Sequence, residues 1–384
     1  MNTASALKKP GHVTESVVDI AARLAPSFAA GAAKADAEDR FVSQNYKALK
    51  AAGLVEAGVP VELGGRGAEV AELADMIRTI AQACGSTGLA FSMHTHQVAI
   101  PAWRWRHQKV TAVEPLLKRV AAERIVLLSS GGSDWIAGSG KAEKVEGGYR
   151  ISGRKVFTSG AEAGDILMTG AVLDGETPAK VLHFGVPMKA DAVKIDDTWH
   201  TLGMRGTGSN DVVIDGLFVP EANVALARTS GEWHPLFQII STIAFPLIYA
   251  AYLGVAESAR DIAIDLAKKK PVNQHTTSLA GRMETALRAA QIAHRHMVST
   301  AEQNAPSAQS VNEIMIGRTL VARNAIEAVE LALELAGGAG FYRSVGLERR
   351  FRDIQGARFH PLQQGPQATY TGSLALGLPM DKVF

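Results

Sequence analysis

From about residue 13 to residue 122, apolar residues recur at the three-and-four spacing of an amphipathic helix. The stretch 39–52 carries Phe41, Tyr46, Leu49 and Ala52 at that spacing, and Gly53 follows as a natural helix cap. The glycine- and proline-rich loop from Val59 to Gly67 breaks the pattern. A second helix is expected over 69–83, and Gly85-Ser86-Thr87 should interrupt before a further helix carrying His94 and His96. At Arg124 the period changes. Ile125-Val126-Leu127-Leu128 reads as a short buried strand, followed by the turn Ser129-Ser130-Gly131-Gly132-Ser133-Asp134. Period-two segments then recur over 149–158, 166–172, 181–188 and 211–219. Past Pro220 the helical spacing returns in long runs over 236–268, 276–300 and 309–336. The pattern predicts a multidomain α+β chain: an all-α N-terminal domain over 1–122, a central β-barrel-like domain over 123–226, and a C-terminal four-helix bundle over 227–384.

Composition narrows the functional classes. The 384 residues suit two or three domains at roughly 150 residues each, every one long enough to bury a core. Lys+Arg number 40 against 38 Asp+Glu, and the longest basic run is Lys268-Lys269-Lys270, so no electrostatic footprint for a nucleic-acid backbone is expected. The single cysteine, Cys84, excludes an intrachain disulfide and a thiolate zinc site, and fits a reducing compartment; the cytoplasm is the expectation. The N-terminal segment has Lys8 and Lys9 but no apolar stretch long enough for a signal peptide. Residues 233–256 contain no Asp, Glu, Lys or Arg and are long enough to cross a bilayer. His234, Pro235, Gln238, Ser241, Thr242 and Pro246 interrupt them, so a buried bundle helix is expected and no membrane partner.

Several motifs fail on inspection. Gly203-Met204-Arg205-Gly206-Thr207-Gly208 leads into a strand, whereas a phosphate-binding glycine turn needs a helix N-terminus behind it. Gly140-Lys141 lacks the flanks of a P-loop. His94-Thr95-His96 puts two imidazoles two residues apart on a helix, where they do not face one site, and no metal is expected. No Gly-x-Ser-x-Gly elbow is present.

What remains is an ordered set of features that resembles the acyl-CoA dehydrogenase superfamily of flavoproteins over nearly the whole chain. Leu49 to Leu54, followed by Val59 to Gly67, resembles the family's helix, turn and "vPeeyGGxG" loop. Leu128 to Asp134 is similar to the flavin-binding turn that ends in Gly-Ser-Asp. Gly153-Arg154-Lys155-Val156-Phe157-Thr158-Ser159-Gly160 resembles the "GxKxWITNG" strand, and Leu202 to Pro220 matches "lGxRgtxtxxvxfxxvxVP". Leu253-Gly254-Val255-Ala256-Glu257-Ser258-Ala259 resembles the central bundle helix, and Gly337-Gly338-Ala339-Gly340-Phe341 the "GGxGy" turn. The resemblance implies a flavin, FAD with FMN as the other candidate, bound by Ser129, Ser130, Gly132 and Ser133 in the turn. It implies Phe157 packing on the ring with Thr158 or Ser159 near N5, and Gly337, Gly338 and Gly340 meeting the FAD of a neighbouring subunit in a homo-oligomer, dimer or tetramer.

The resemblance departs from the family at the catalytic base. Dehydrogenation removes an α proton with a carboxylate while hydride passes to flavin N5. In most of the family the base is the glutamate of "yEGT"; here Gln364-Gly365 is its nearest echo. Other members carry it on the bundle helix, where this chain has Ala244, with Phe245 in place of the arginine beside it. The arginine and phenylalanine that clamp FAD across the subunit interface are missing after Ala267-Lys268-Lys269-Lys270-Pro271. The leading expectation is an acyl-CoA dehydrogenase or close relative using His360 as base, with an acyl-CoA substrate and an external electron acceptor. The alternative is a monooxygenase on the same fold, supplied by a flavin reductase and working through a C4a-hydroperoxyflavin, with His96 (or His94) and His360 facing the flavin. A third reading is a non-catalytic flavoprotein.

Overall fold

The computed structural model describes residues 15–303 and 305–380. The N-terminal third is helical: α1 (Val17–Ala37), α2 (Ser43–Ala51), α3 (Val70–Ala83), α4 (Gly85–Gln108) and α5 (Glu114–Glu123). Two boundaries differ from the sequence reading. The helix expected over 39–52 begins only at Ser43, because Asp39 is left-handed (φ 50°) and the backbone of Val42 bonds outward to Gly206 O at 3.1 Å. The break expected at 85–87 falls instead on Cys84, which is extended; Gly85, Ser86 and Thr87 form the first turn of α4, where backbone N–H groups have no intrahelical partner in any helix.

The middle third is an eight-stranded mixed sheet made of β1 (Leu127–Ser129), β2 (Lys141–Val145), β3 (Gly148–Lys155), β4 (Ile166–Leu173), β5 (Lys180–Pro187), β6 (Val193–Asp196), β7 (Asp211–Pro220) and β8 (Leu226–Thr229). Its order is β6-β7-β3-β2-β4-β5-β8, with β1 lying parallel to β4 in the register Ser129 to Met168. That pairing sets the turn after β1 beside the inner face of β4.

The last third contains α6 (Leu236–Ala267), α7 (Gln274–Gln303), α8 (Ala308–Ala336), α9 (Leu347–Ile354) and α10 (Gln364–Ala375). The first three pack on one another, and α10 lies on α8. Helix α6 is long and apolar enough to cross a membrane, yet 94% of its most apolar stretch is buried inside this fold. It is apolar all round because it is surrounded: α3 and α4 cover one side, α7, α8 and α9 the rest. Gly254 permits the α3 crossing, since a Cβ there would stand 2.4 Å from Arg78 O.

Candidate active site

The turn after β1 is held from below by a buried polar chain. Ser130 Oγ meets Thr169 Oγ1 at 3.0 Å, and Thr169 donates to Asp134 Oδ2 at 3.1 Å. Asp134 also accepts from Ser139 and pairs with Lys155 Nζ at 3.1 Å. The Lys155 side chain is wholly buried, and it further donates to Gly170 O (2.6 Å) and Ser139 O (2.7 Å). Burial lowers the Lys155 pKa while Asp134 pulls it back up. The ammonium therefore has its three donors used, the condition under which a buried ion pair is tolerated. Lys155, Thr169 and Asp134 were not singled out from sequence. The available signal was a charged or hydroxyl side chain at an inward strand position, which becomes visible only once the register is known.

Above this anchor the surface is bare backbone. Gly131 N–H donates to Val156 O at 2.9 Å, and a Cβ on Gly131 would lie 2.9 Å from the Cβ of Phe157. Phe157 is left-handed (φ 55°), a conformation costing an aromatic residue about 1–2 kcal/mol. Its ring remains 57% exposed, edge-on to Trp199 at 5.7 Å. A strained, solvent-facing aromatic thus stands beside Gly131. The hydroxyls of Thr158 and Ser159, expected near N5, are bonded within the protein. Thr158 is fully buried with Oγ1 donating to Lys155 O (3.3 Å), and Ser159 Oγ joins Ser209 (2.8 Å) and, through it, Thr207 (2.7 Å). Both tie strand end to loop.

Helix α4 supplies two histidines with different surroundings. His94 Nε2 donates to Val55 O at 2.8 Å and its Nδ1 accepts from Leu127 N–H at 3.0 Å, so both nitrogens are occupied by backbone. His94 is a strut between the N-terminal loop and β1, which removes it as the alternative to His96. His96 is also buried, but its Nδ1 has no partner among the described residues. Burial, and then the nearby His94, depress its pKa to about 3, so the ring is neutral.

His360 comes from the segment between α9 and α10. Its Nε2 lies 2.6 Å from the hydroxyl of Tyr252 on α6, and Arg318 of α8 donates to its carbonyl at 3.0 Å. The next residue, Pro361, presses on the turn: a Cβ on Gly132 would stand 2.3 Å from Pro361 Cγ. His360 keeps part of its surface open although protein surrounds most of it. Burial first, then the charges of Arg318 and His96, push its pKa down to about 3. The fold thus brings His96 and His360 within electrostatic reach of each other, with Gly132 against the segment that carries His360. No carboxylate contributes to the shift of either ring.

The remaining expected positions lie elsewhere. Gly337 and Gly338 line an open surface hollow with Glu330, Leu333, Glu334, Phe341 and Tyr342, none of which belongs to the turn or to the 157–159 strand end. Gly340 is a packing glycine against Ala336 and Leu347. Ala244 is buried in α6, and Gln364 accepts from Arg323 at 3.3 Å. Asp353, the nearest acidic residue before His360 in the chain, is buried and accepts from Met204 N–H; burial raises its pKa to about 6. Among the described residues no group of three His, Cys, Asp or Glu side chains converges as a metal set. The Ser133 side chain lies outside the described part.

The N-terminal, middle and C-terminal domain models of acyl-CoA dehydrogenase match residues 14–118, 129–217 and 247–364. The chain belongs to the acyl-CoA dehydrogenase family. It is a flavoenzyme on that fold. Among its relatives, a pigment production hydroxylase of Rhodococcus sp. (strain ATCC 21145) is 28% identical over 93% of this chain and 95% of that protein. A probable acyl-CoA dehydrogenase, YngJ of Bacillus subtilis (strain 168), is also 28% identical, over 91% and 93%. The crystal structure of KijD3 with FMN and a dTDP-linked amino-keto sugar superposes with a TM-score of 0.87, at 26% identity and 96% coverage of both chains.

Proposed function

We propose that this chain is the oxygenase of a flavin-dependent monooxygenase that uses FMN reduced by a separate reductase. The observation that carries the reading is the pair of neutral histidines, His96 and His360, in a chain whose two family positions for the carboxylate base hold Gln364 and Ala244. An α proton calls for a base of matched pKa, and imidazoles held near pKa 3 are poor ones. Neutral imidazoles, each with one N–H, are suited to donate hydrogen bonds to a polar adduct without discharging it by proton transfer. Reduced flavin, when bound, supplies electrons to dioxygen. The protein's part is to hold the ring on Gly131, Gly132 and Phe157, to present His96 and His360, and to exclude water with Tyr249 and Tyr252. The hydroxylase among the relatives and the FMN in KijD3 support this reading.

The dehydrogenase reading, with His360 as its base, is supported by the three domain models and by relatives such as YngJ. A single comparison separates the two. Protein loaded with reduced FMN is mixed with labelled dioxygen and a panel of small aromatic substrates and amino sugars, and products are weighed for incorporated label. In parallel, oxidised protein is titrated anaerobically with saturated acyl-CoAs. Label in a product establishes the oxygenase, whereas flavin bleaching with formation of an enoyl-CoA overturns it.

A further inference from the structure

Tyr252 belongs to no motif, yet it makes the closest side-chain contact to His360. Its hydroxyl lies 2.6 Å from Nε2, and that is its only hydrogen-bond partner among the described residues. The side chain is fully buried. If the imidazole donated to the phenol, the phenol's own proton would be left buried without an acceptor, at a cost of about 1–3 kcal/mol. The phenol therefore donates, and Nε2 is the unprotonated nitrogen. A neutral ring carries one N–H, so the proton resides on Nδ1, which has no partner among the described residues and is left for a bound molecule.

The surrounding residues hold this arrangement. A Cβ on Gly356 would come 2.8 Å from the Tyr252 hydroxyl, so the glycine gives the phenol room. Tyr249, one turn earlier on α6, donates to Ala357 O at 2.8 Å. Arg318 donates to the same carbonyl at 3.1 Å and to His360 O at 3.0 Å, with its guanidinium 5.2 Å from the Tyr249 ring. The backbone is thus pinned at Ala357 and at His360 itself by α6 and α8, and the ring cannot leave Tyr252 without breaking the 2.6 Å bond.

We propose that Tyr252 is a positioning residue that fixes the tautomer of His360, making Nδ1–H the hydrogen-bond donor that His360 offers to a bound ligand. The proton placement stands on geometry alone; its catalytic consequence rests on the oxygenase reading above. The test is nitrogen-15 NMR of histidine-labelled full-length protein, the His360 signal being identified by its loss in His360→Gln. The wild type should show His360 as the Nδ1–H form. In Tyr252→Phe the Nε2–H form should rise from below about one tenth to about half or more, because the competing donor is gone. Flavin binding should persist, while the fraction of consumed oxygen that reaches product falls about tenfold. A wild-type His360 protonated on Nε2 overturns the proposal whether or not the variant folds, and so does a tautomer that Tyr252→Phe leaves unchanged. The expected tautomers in a protein that oxygenates no substrate would uphold this inference and count against the oxygenase reading alone.

Discussion

His94 and His96, two positions apart on α4, differ in what surrounds them and so in what their loss should do. Replacing His94 by Ala leaves the carbonyl of Val55 and the N–H of Leu127 buried and unpaired, and should destabilise the protein by about 2–4 kcal/mol in urea unfolding. His96→Ala leaves no protein partner stranded, so its stability should change by less than about 2 kcal/mol while product formation drops at least about a hundredfold. Equal destabilisation of the two would show that His96 is also a strut. The sequence offered these histidines as interchangeable because nothing local distinguishes them. The partners of His94 are 39 and 33 residues away in the chain, and only folding brings them to one ring. Arg318 was legible in part: it stands in the apolar stripe of Ile314, Met315, Val321 and Ala322, a position where a cation calls for explanation.

Two elements invite direct tests. Helix α6 crosses α3 so closely at Gly254 that Gly254→Ala should cost about 2 kcal/mol or more by forcing the helices apart. On α7, Gly281 is exposed with nothing within 4 Å of its would-be Cβ, and Gly281→Ala should stabilise by about 0.5–1 kcal/mol through helix propensity alone. Thermal melts of both variants check the contrast, and matching shifts would mean that α6 and α3 are not in tight contact. At the end of β3, Lys155→Met should leave Asp134 as an uncompensated buried charge, costing about 3–5 kcal/mol and loosening the turn proposed to hold the flavin. The expected readout is a lower unfolding midpoint with weaker FMN retention on gel filtration; retention at the wild-type level would show that the turn does not depend on this pair. Element type was readable from periodicity, and the long bundle helices end within a few residues of their expected limits. The two misplaced starts, at Ser43 and Gly85, fall where a tertiary contact or a single extended residue decides, which periodicity does not record.

For the whole molecule, five histidines, three buried and two half-buried, set the acid limit of stability. His94, His183 and His294 are pushed to about 4, and His96 and His360 to about 3, in each case chiefly by burial. Their folded pKa values lie below the unfolded value of roughly 6.5, so below that pH the unfolded chain binds protons that the folded chain does not. Stability is therefore full above about pH 6.5 and should fall by more than about 1.4 kcal/mol for each pH unit toward pH 4. Asp353, raised to about 6, works in the opposite sense, losing stability as pH rises from about 4 to 6, but it is one group against five. Urea unfolding between pH 7.5 and 4.5 measures the slope; a flat profile would mean the histidines are not buried neutral. The sequence by itself determined the order of helical, β and helical thirds, the glycine turn and strand that mark the family, and the missing carboxylate, because periodicity, turn chemistry and residue identity are local properties. Only the tertiary structure decided which histidine is a strut and which keeps a nitrogen without a partner among the described residues, that Thr158 and Ser159 are buried, and that Tyr252 and Arg318 hold the segment carrying His360. Each of those facts is a meeting of residues far apart in the chain, and hydrogen-bond partnership and burial exist only once the elements have packed.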